Sequence, residues 1–295
     1  MNHKVYLHLG LHKTATTSMQ QYVFPFVEGV NFLGREVIDL KDNSSLYKKI
    51  AYYCFSKEEN IKLKKEIGTA LENTLNDSSI LISDEWFTAD YSGFFAFDGA
   101  HWQMKIARLS ELLEGADCQV ILTIRHPFEG LYSQYCEFLS VGIDELYPTF
   151  RSYAEFSNDA NAYHYEYLFK SIKRNFENLS IVTFDELKDS SGVHPLCDFF
   201  QVRTLPEIGH ANKREKNNEG VKVVKQSKVV KFVSSNIPKA VGKCLRQNKK
   251  LAWLKNLLIR FISDEIYLEV PTKADEQFIK DNFSKSITIY KQKDF

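Results

Sequence analysis

KVYLHLGLHKTATTSMQ, residues 4–20, decides how this chain is read. Val5, Tyr6, Leu7 and Leu9 make a short apolar run of strand type that stops at Gly10. Lys13 and a cluster of hydroxyls (Thr14, Thr16, Thr17, Ser18) follow at once, and a segment of helical character begins behind them. Strand, tight loop and helix in that order make an anion cradle. Backbone N–H groups and a helix N-terminus face the ligand, and Lys13 adds a point charge. The hydroxyls donate to phosphate or sulfate oxygens without a charge of their own.

Outward from this stretch, three more apolar runs read as buried parallel strands: Ile80–Ser83, Val120–Ile124 and Ser180–Phe184. Helical patterns over 57–75, 101–114, 127–139 and 162–176 separate them. The alternation predicts an α/β fold: a P-loop-type, doubly wound parallel sheet flanked by helices, with ligands at the carboxyl ends of the strands. Beyond about residue 205 the strand signal fades. Residues 209–219 read as an exposed loop, 221–235 and 246–262 as helices, and the tail from 272 as a short helix. The expectation is a single domain over 1–295, with a nucleotide-binding core at 1–205 and a mainly helical C-terminal lobe at 206–295.

Composition narrows the classes. In 295 residues, 38 Lys and Arg balance 38 Asp and Glu, so no overall field draws nucleic acid or an anionic membrane. Cys54, Cys118, Cys136, Cys197 and Cys244 are scattered without metal-ligand spacing, and reduced thiols are expected. No apolar run is long enough for a membrane span, and the first strand leaves no room for a secretory leader, so a cytoplasmic location is expected.

The cradle is not the ATP-binding P-loop, which needs glycine directly before the lysine; His12 stands there, and no bound metal is expected. A second segment, ILTIRHPFEGLYSQY (Ile121–Tyr135), puts Arg125 at a strand's carboxyl end and Pro127 at a helix start. Ser133 follows Pro127 by six residues, about 9 Å along the helix axis. A guanidinium fork and a hydroxyl so placed grip one phosphate from two sides.

Together these stretches resemble the 3′-phosphoadenosine 5′-phosphosulfate (PAPS)-dependent sulfotransferases, in wording closest to bacterial members of their carbohydrate-type branch. Lys13, Thr14, Ala15, Thr16, Thr17 and Ser18 are similar to that family's 5′-phosphosulfate loop, and Arg125 and Ser133 to its 3′-phosphate motif. Phe184-Asp185-Glu186-Leu187 and Leu196–Val202 are similar to its later strand and helix. Ala15 stands where the family usually has glycine, so the loop must keep φ negative there or accept strain. The family's cofactor-closing loop has no clear counterpart; residues 209–219, with Arg214, take that place by position.

The resemblance implies a sulfotransferase using PAPS as co-substrate, with a hydroxyl acceptor on a carbohydrate or glycolipid. Charge develops on the oxygen bridging to the departing 5′-phosphate, and Lys13 is assigned to it. In ILISDEWF (residues 80–87), Asp84 and Glu85 stand just beyond a strand end. Glu85 fits the general base the resemblance implies, if apolar neighbours such as Trp86 and Phe87 raise its pKa; Asp84 is the alternative.

Two rival readings stay open here. One is an ATP- or GTP-dependent kinase with Asp84 holding Mg²⁺. The other is a non-catalytic anion- or membrane-binding module using the basic, amphipathic stretch 243–262. The aromatic residues Trp86, Phe87, Tyr91, Phe94, Phe95, Phe97 and Trp102 suit either an acceptor wall or core packing.

Overall fold

Strand β1 (Val5–Gly10) runs through the cradle loop into α1 (Thr16–Tyr22), and a 3-10 turn at Phe24–Phe26 precedes β2 (Val30–Gly34). Helices α2 (Leu46–Phe55) and α3 (Ile61–Asp77) return the chain to β3 (Ser79–Ser83), which opens into a 3-10 turn at Glu85–Thr88. Next come α4 (Trp102–Leu112), β4 (Cys118–Ile124) and α5 (Pro127–Phe138). Three helices follow, α6 (Phe150–Phe156), α7 (Asn158–Asn161) and α8 (Tyr165–Lys173), then β5 (Asn178–Thr183), α9 (Phe184–Lys188) and α10 (His194–Phe200). The C-terminal part holds β6 (Lys216–Asn217), β7 (Gly220–Gln226), β8 (Ser263–Leu268), α11 (Lys273–Asn282) and α12 (Ser284–Gln292). This computed structural model describes residues 3–35, 45–91, 99–139, 142–188, 194–208, 216–217, 220–226, 263–268 and 271–292.

Strands β1 to β5 form one parallel sheet in the order β2-β3-β1-β4-β5. The chain leaves β1 on one side to lay down β2 and β3, then crosses to lay down β4 and β5 on the other. The loops that follow β1 and β4 therefore emerge side by side at the switch point, where open α/β sheets bind ligands. The register fixes this closely: Gly10 pairs with Thr123, and His8 with Ser83 on one side and Ile121 on the other.

Both faces of β1 are covered, which explains its unbroken apolar run. Val5, Leu7 and Leu9 enter a core layer with Trp102, Ile106 and Leu122. Tyr6 points to the opposite layer, with Met19, Phe24, Leu81, Ile121 and Phe200. Leu7 is fully buried, and a buried leucine truncated to alanine costs about 2–5 kcal/mol. His8, on the second face, is also fully buried. It bridges the central strands through Ser83 Oγ at 2.8 Å and Thr123 Oγ1 at 3.3 Å. Burial pushes its imidazole down to about 3, so it is a neutral linker.

All four expected strands of the sheet are present, and α3, α4, α5 and α8 fall on the four expected helical patterns. Strand β2 is an addition: it is an edge strand of mostly half-buried residues, so its apolar signal is weak. The C-terminal part requires a correction. Residues 221–226, read as helix, lie in β7 of a three-stranded antiparallel sheet in the order β6-β7-β8, so among the described residues from 206 on strands stand beside helices. Valines and lysines in this stretch suit both periods, and pairing with β8 settled the choice. The expected helix 246–262, residues 227–235, Arg214, and Phe94, Phe95 and Phe97 lie outside the described residues. Among the described residues, no helix is long and apolar enough to cross a membrane.

Candidate functional site

The loop between β1 and α1 takes the strained alternative. Lys13 has φ 66° and Ala15 φ 64°, both left-handed, with Thr14 between them on the ordinary side. Such alternation turns neighbouring N–H groups toward one concavity, a known anion-binding shape. Left-handed backbone costs a non-glycine residue roughly 1–2 kcal/mol, so the surroundings must hold it. They do so from three sides. Thr14 Oγ1 donates to Leu11 O at 2.6 Å and meets Thr123 Oγ1 at 2.7 Å. Leu11 N donates to Thr123 O at 3.0 Å, and Thr88 Oγ1 to Gly10 O at 2.7 Å. At Gly10 a Cβ would stand 2.4 Å from Thr16 Oγ1 and 2.9 Å from Thr123 Oγ1, so any side chain there forces these threonines to shift.

The cradle hydroxyls divide by environment. The hydroxyl of Thr14 is turned inward and taken by the protein, which leaves its backbone N–H as the group to offer a ligand. Thr16 is buried and its Oγ1 has no partner. Thr17 is half-buried, and Ser18 is buried on α1.

Lys13 reaches Oε2 of Glu137, on α5, at 3.1 Å, with its side chain 27% exposed. The same oxygen lies 3.6 Å from Nδ1 of His12. His12 is buried between Trp86 and Phe138, at ring distances of 4.7 and 5.2 Å, and its Nε2 has no partner. Burial would raise the Glu137 carboxyl, but His12 and Lys13 hold it down to about 2.

Arg125 leaves the end of β4 and lies over the ring of Phe184, 4.5 Å from its centroid. Its Nε and Nη2 donate to Glu129 Oε2 at 3.2 and 3.0 Å. Its Nη1 donates to the carbonyl oxygen of Lys13 at 3.2 Å. The backbone carbonyl of Arg125 accepts from the buried Tyr165 hydroxyl, so the residue is fixed at both ends. Ser133 is half-buried on α5, eight residues after Arg125.

That one bond brings Arg125 into contact with the lysine loop 112 residues before it. Two solved structures are similar in chain layout. One is a sulfotransferase from Alicyclobacillus acidocaldarius, with a TM-score of 0.44 and 11% identity over 72% of this chain and 87% of that one. The other is the sulfotransferase domain from the curacin biosynthetic pathway, with a TM-score of 0.40 and 14% identity over 70% of this chain and 77% of that one. Both are sulfotransferases. No protein-family model and no curated protein matches the sequence.

Asp84 and Glu85 face different surroundings. Asp84 is fully buried and both its oxygens are taken: Oδ1 accepts from Trp86 N at 3.0 Å and Oδ2 from the Tyr47 hydroxyl. Burial and the neighbouring Glu85 charge raise its carboxyl to about 6, against the pull of Arg35 and Tyr47. Glu85 pairs through Oε1 with Arg35 at 2.9 Å, and its buried Oε2 has no partner. Arg35 lies over Trp86 at 5.3 Å, and although burial opposes it, the neighbouring Glu85 and Asp84 carboxylates raise its pKa.

Trp86, Phe87, Tyr91 and Trp102 are buried in the main core layer, so the described aromatics pack the domain. Sequence reading missed Arg35, Glu129, Glu137 and Tyr165. A signal for two of them was present: Glu129, Ser133 and Glu137 follow Arg125 at four-residue steps, so that successive ones are neighbours along α5.

Proposed function

We propose that this chain transfers a sulfuryl group from PAPS to a hydroxyl acceptor. The observation that supports the reading most is the bond from Arg125 Nη1 to the Lys13 carbonyl, which puts the guanidinium against the lysine loop. An adenylate with anionic groups on both its 3′ and 5′ carbons needs two such grips on one surface.

In this reading the backbone N–H groups of Lys13 to Ala15, with Thr16, Thr17 and Ser18, hold the 5′-phosphosulfate. Arg125 and Ser133 hold the 3′-phosphate. Lys13 turns from Glu137 to the oxygen that bridges sulfur and the 5′-phosphate, where negative charge grows as the S–O bond breaks. Glu85 accepts the acceptor's proton on its unpartnered Oε2 as the hydroxyl oxygen bonds to sulfur, and adenosine 3′,5′-bisphosphate leaves. Asp84, with both oxygens engaged, serves the turn that carries Glu85. Catalysis here is positioning and charge stabilisation, as in phosphoryl transfer. A carbohydrate or glycolipid acceptor and a bacterial origin follow from the sequence resemblance alone, and a cytoplasmic location completes the proposal.

The test is release of adenosine 3′,5′-bisphosphate from PAPS in the presence of hydroxyl acceptors, without divalent metal. Turnover lost in Arg125→Ala supports the reading. Turnover that requires Mg²⁺ and ATP instead of PAPS replaces it with a kinase.

A further inference from the structure

Lys105, near the start of α4, is fully buried. A buried ammonium must find partners for its charge and for its N–H donors. Its Nζ donates to the carbonyl oxygens of Ala89, Trp86 and Asp90 at 2.5, 3.1 and 3.3 Å, and lies 4.7 Å from the centre of the Phe55 ring. These carbonyls belong to the 3-10 turn Glu85–Thr88 and the two residues after it. So short a turn leaves its last carbonyls without partners of its own. One ammonium collects them. At the other end, Asp84 Oδ1 accepts from Trp86 N at 3.0 Å. In between, Thr88 Oγ1 reaches the carbonyls of Glu85 and Gly10 at 3.1 and 2.7 Å, which fastens the turn to the end of β1 where the lysine loop begins.

We propose that Lys105 is a positioning residue for the Glu85 carboxylate: by gathering the carbonyls of Trp86, Ala89 and Asp90 it fixes the turn on which Glu85 stands. The proposal rests on the reading of Glu85 as the proton acceptor. Glu85 is paired through Oε1 with Arg35, and the aim of its unpartnered Oε2 follows the backbone of the turn. An apolar side chain at 105 fills the same space but supplies no donor to the buried carbonyls, so the turn shifts to find others.

The charge of Lys105 matters as well as its reach. Burial brings its pKa down to about 8, against Asp159 on α7, Asp90 after the turn, Asp84 at the end of β3 and Cys54 on α2, which all favour the ammonium. Above that pH the neutral amine keeps two N–H groups, too few for the three carbonyls. Between about 8 and the ordinary value of 10.5, the unfolded chain binds the proton that the folded chain has lost, so this group's contribution to stability rises with pH. The turn loosens while the domain stays folded.

The test measures release of adenosine 3′,5′-bisphosphate from PAPS with a panel of simple glycosides as acceptors, and affinity for adenosine 3′,5′-bisphosphate, across pH 8. It uses the unaltered protein, Lys105→Met, Glu85→Gln and the double variant. Lys105→Met is expected to lower kcat about tenfold to a hundredfold beside Glu85, and less than about twofold in the Glu85→Gln background, because a positioning effect acts through the carboxylate it positions. Bisphosphate affinity stays within about twofold throughout. In the unaltered protein kcat falls as pH rises through about 8 with affinity constant, and the residual turnover of Glu85→Gln lacks this limb. Equal fold-losses in the two backgrounds, or turnover and affinity lost together, overturn the proposal and leave the sulfotransferase reading standing. Should Lys105→Met fail to fold, an alkaline limb shared by Glu85→Gln, or none in the unaltered protein, overturns it equally. No release by the unaltered protein takes away the sulfotransferase reading, and the proposal with it.

Discussion

Arg125 and Lys13 are bonded through the backbone of one and the fork of the other, Nη1 to carbonyl oxygen at 3.2 Å. The same guanidinium spends its remaining edge on Glu129 and its face on Phe184. Three roles met by one planar group are beyond a lysine, which offers a point charge and no fork. Arg125→Lys should therefore keep the net charge of the crevice and still weaken adenosine 3′,5′-bisphosphate binding, by about tenfold or more for a lost charge-assisted bond. Calorimetric titration checks this.

The cradle's strain makes a second prediction. Ala15 sits at φ 64°, ψ 17°, a conformation glycine adopts freely. Ala15→Gly removes that strain but adds freedom to the unfolded chain, so the two effects offset and stability should change by less than about 1 kcal/mol. Gly10→Ala is the contrasting case, because its new Cβ meets two threonine hydroxyls in a packed turn. It should cost about 1–3 kcal/mol, read as a lowered denaturation midpoint.

The adjacent carboxylates should separate under mutation. Glu85→Gln leaves the Arg35 contact a hydrogen bond but removes the proton acceptor, so turnover should fall by about 10²–10⁴ with bisphosphate affinity unchanged. Asp84→Asn instead leaves the buried Trp86 N–H or the Tyr47 hydroxyl poorly matched, and should cost about 1–3 kcal/mol of stability. The opposite pattern, activity lost at Asp84 and only stability lost at Glu85, assigns the base to Asp84.

Glu137 gives a dependence on pH with a definite sign. Its folded-state pKa, about 2, lies below the roughly 4.3 of an unperturbed glutamate. The stability it contributes is present above the unfolded value and is lost as pH falls toward the folded one. The stability difference between the protein and its Glu137→Gln form should therefore shrink from pH 5 to pH 3, as measured by urea unfolding at each pH. A difference that stays constant over that range contradicts the paired carboxylate.

How much of this was readable from residues alone depends on what decides each feature. The central strands were legible because burial on both faces leaves a continuous apolar run, as in Val120–Ile124. The edge strand Val30–Gly34, half-buried throughout most of its length, carries no such run. Residues 221–226 show the limit of periodicity, since the partner strand Ser263–Leu268 lies some forty positions away and only pairing chooses between helix and strand. Lys13 and Arg125 were legible because each stands at a strand end with a recognisable loop. Arg35 was not, because its value comes from a contact across the fold with Glu85; for Glu137 the spacing along α5 was readable, but its contacts with His12 and Lys13 were not.

The most direct measurement is calorimetric titration with adenosine 3′,5′-bisphosphate, free of divalent metal, on the unaltered protein, Lys13→Ala, Arg125→Ala and the double variant. If both grips hold one ligand, the unaltered protein binds, each single variant loses affinity by at least about tenfold, and adenosine 5′-monophosphate responds to Lys13→Ala but not to Arg125→Ala. A flat titration of the unaltered protein, or full affinity retained without the Arg125 guanidinium, contradicts the account.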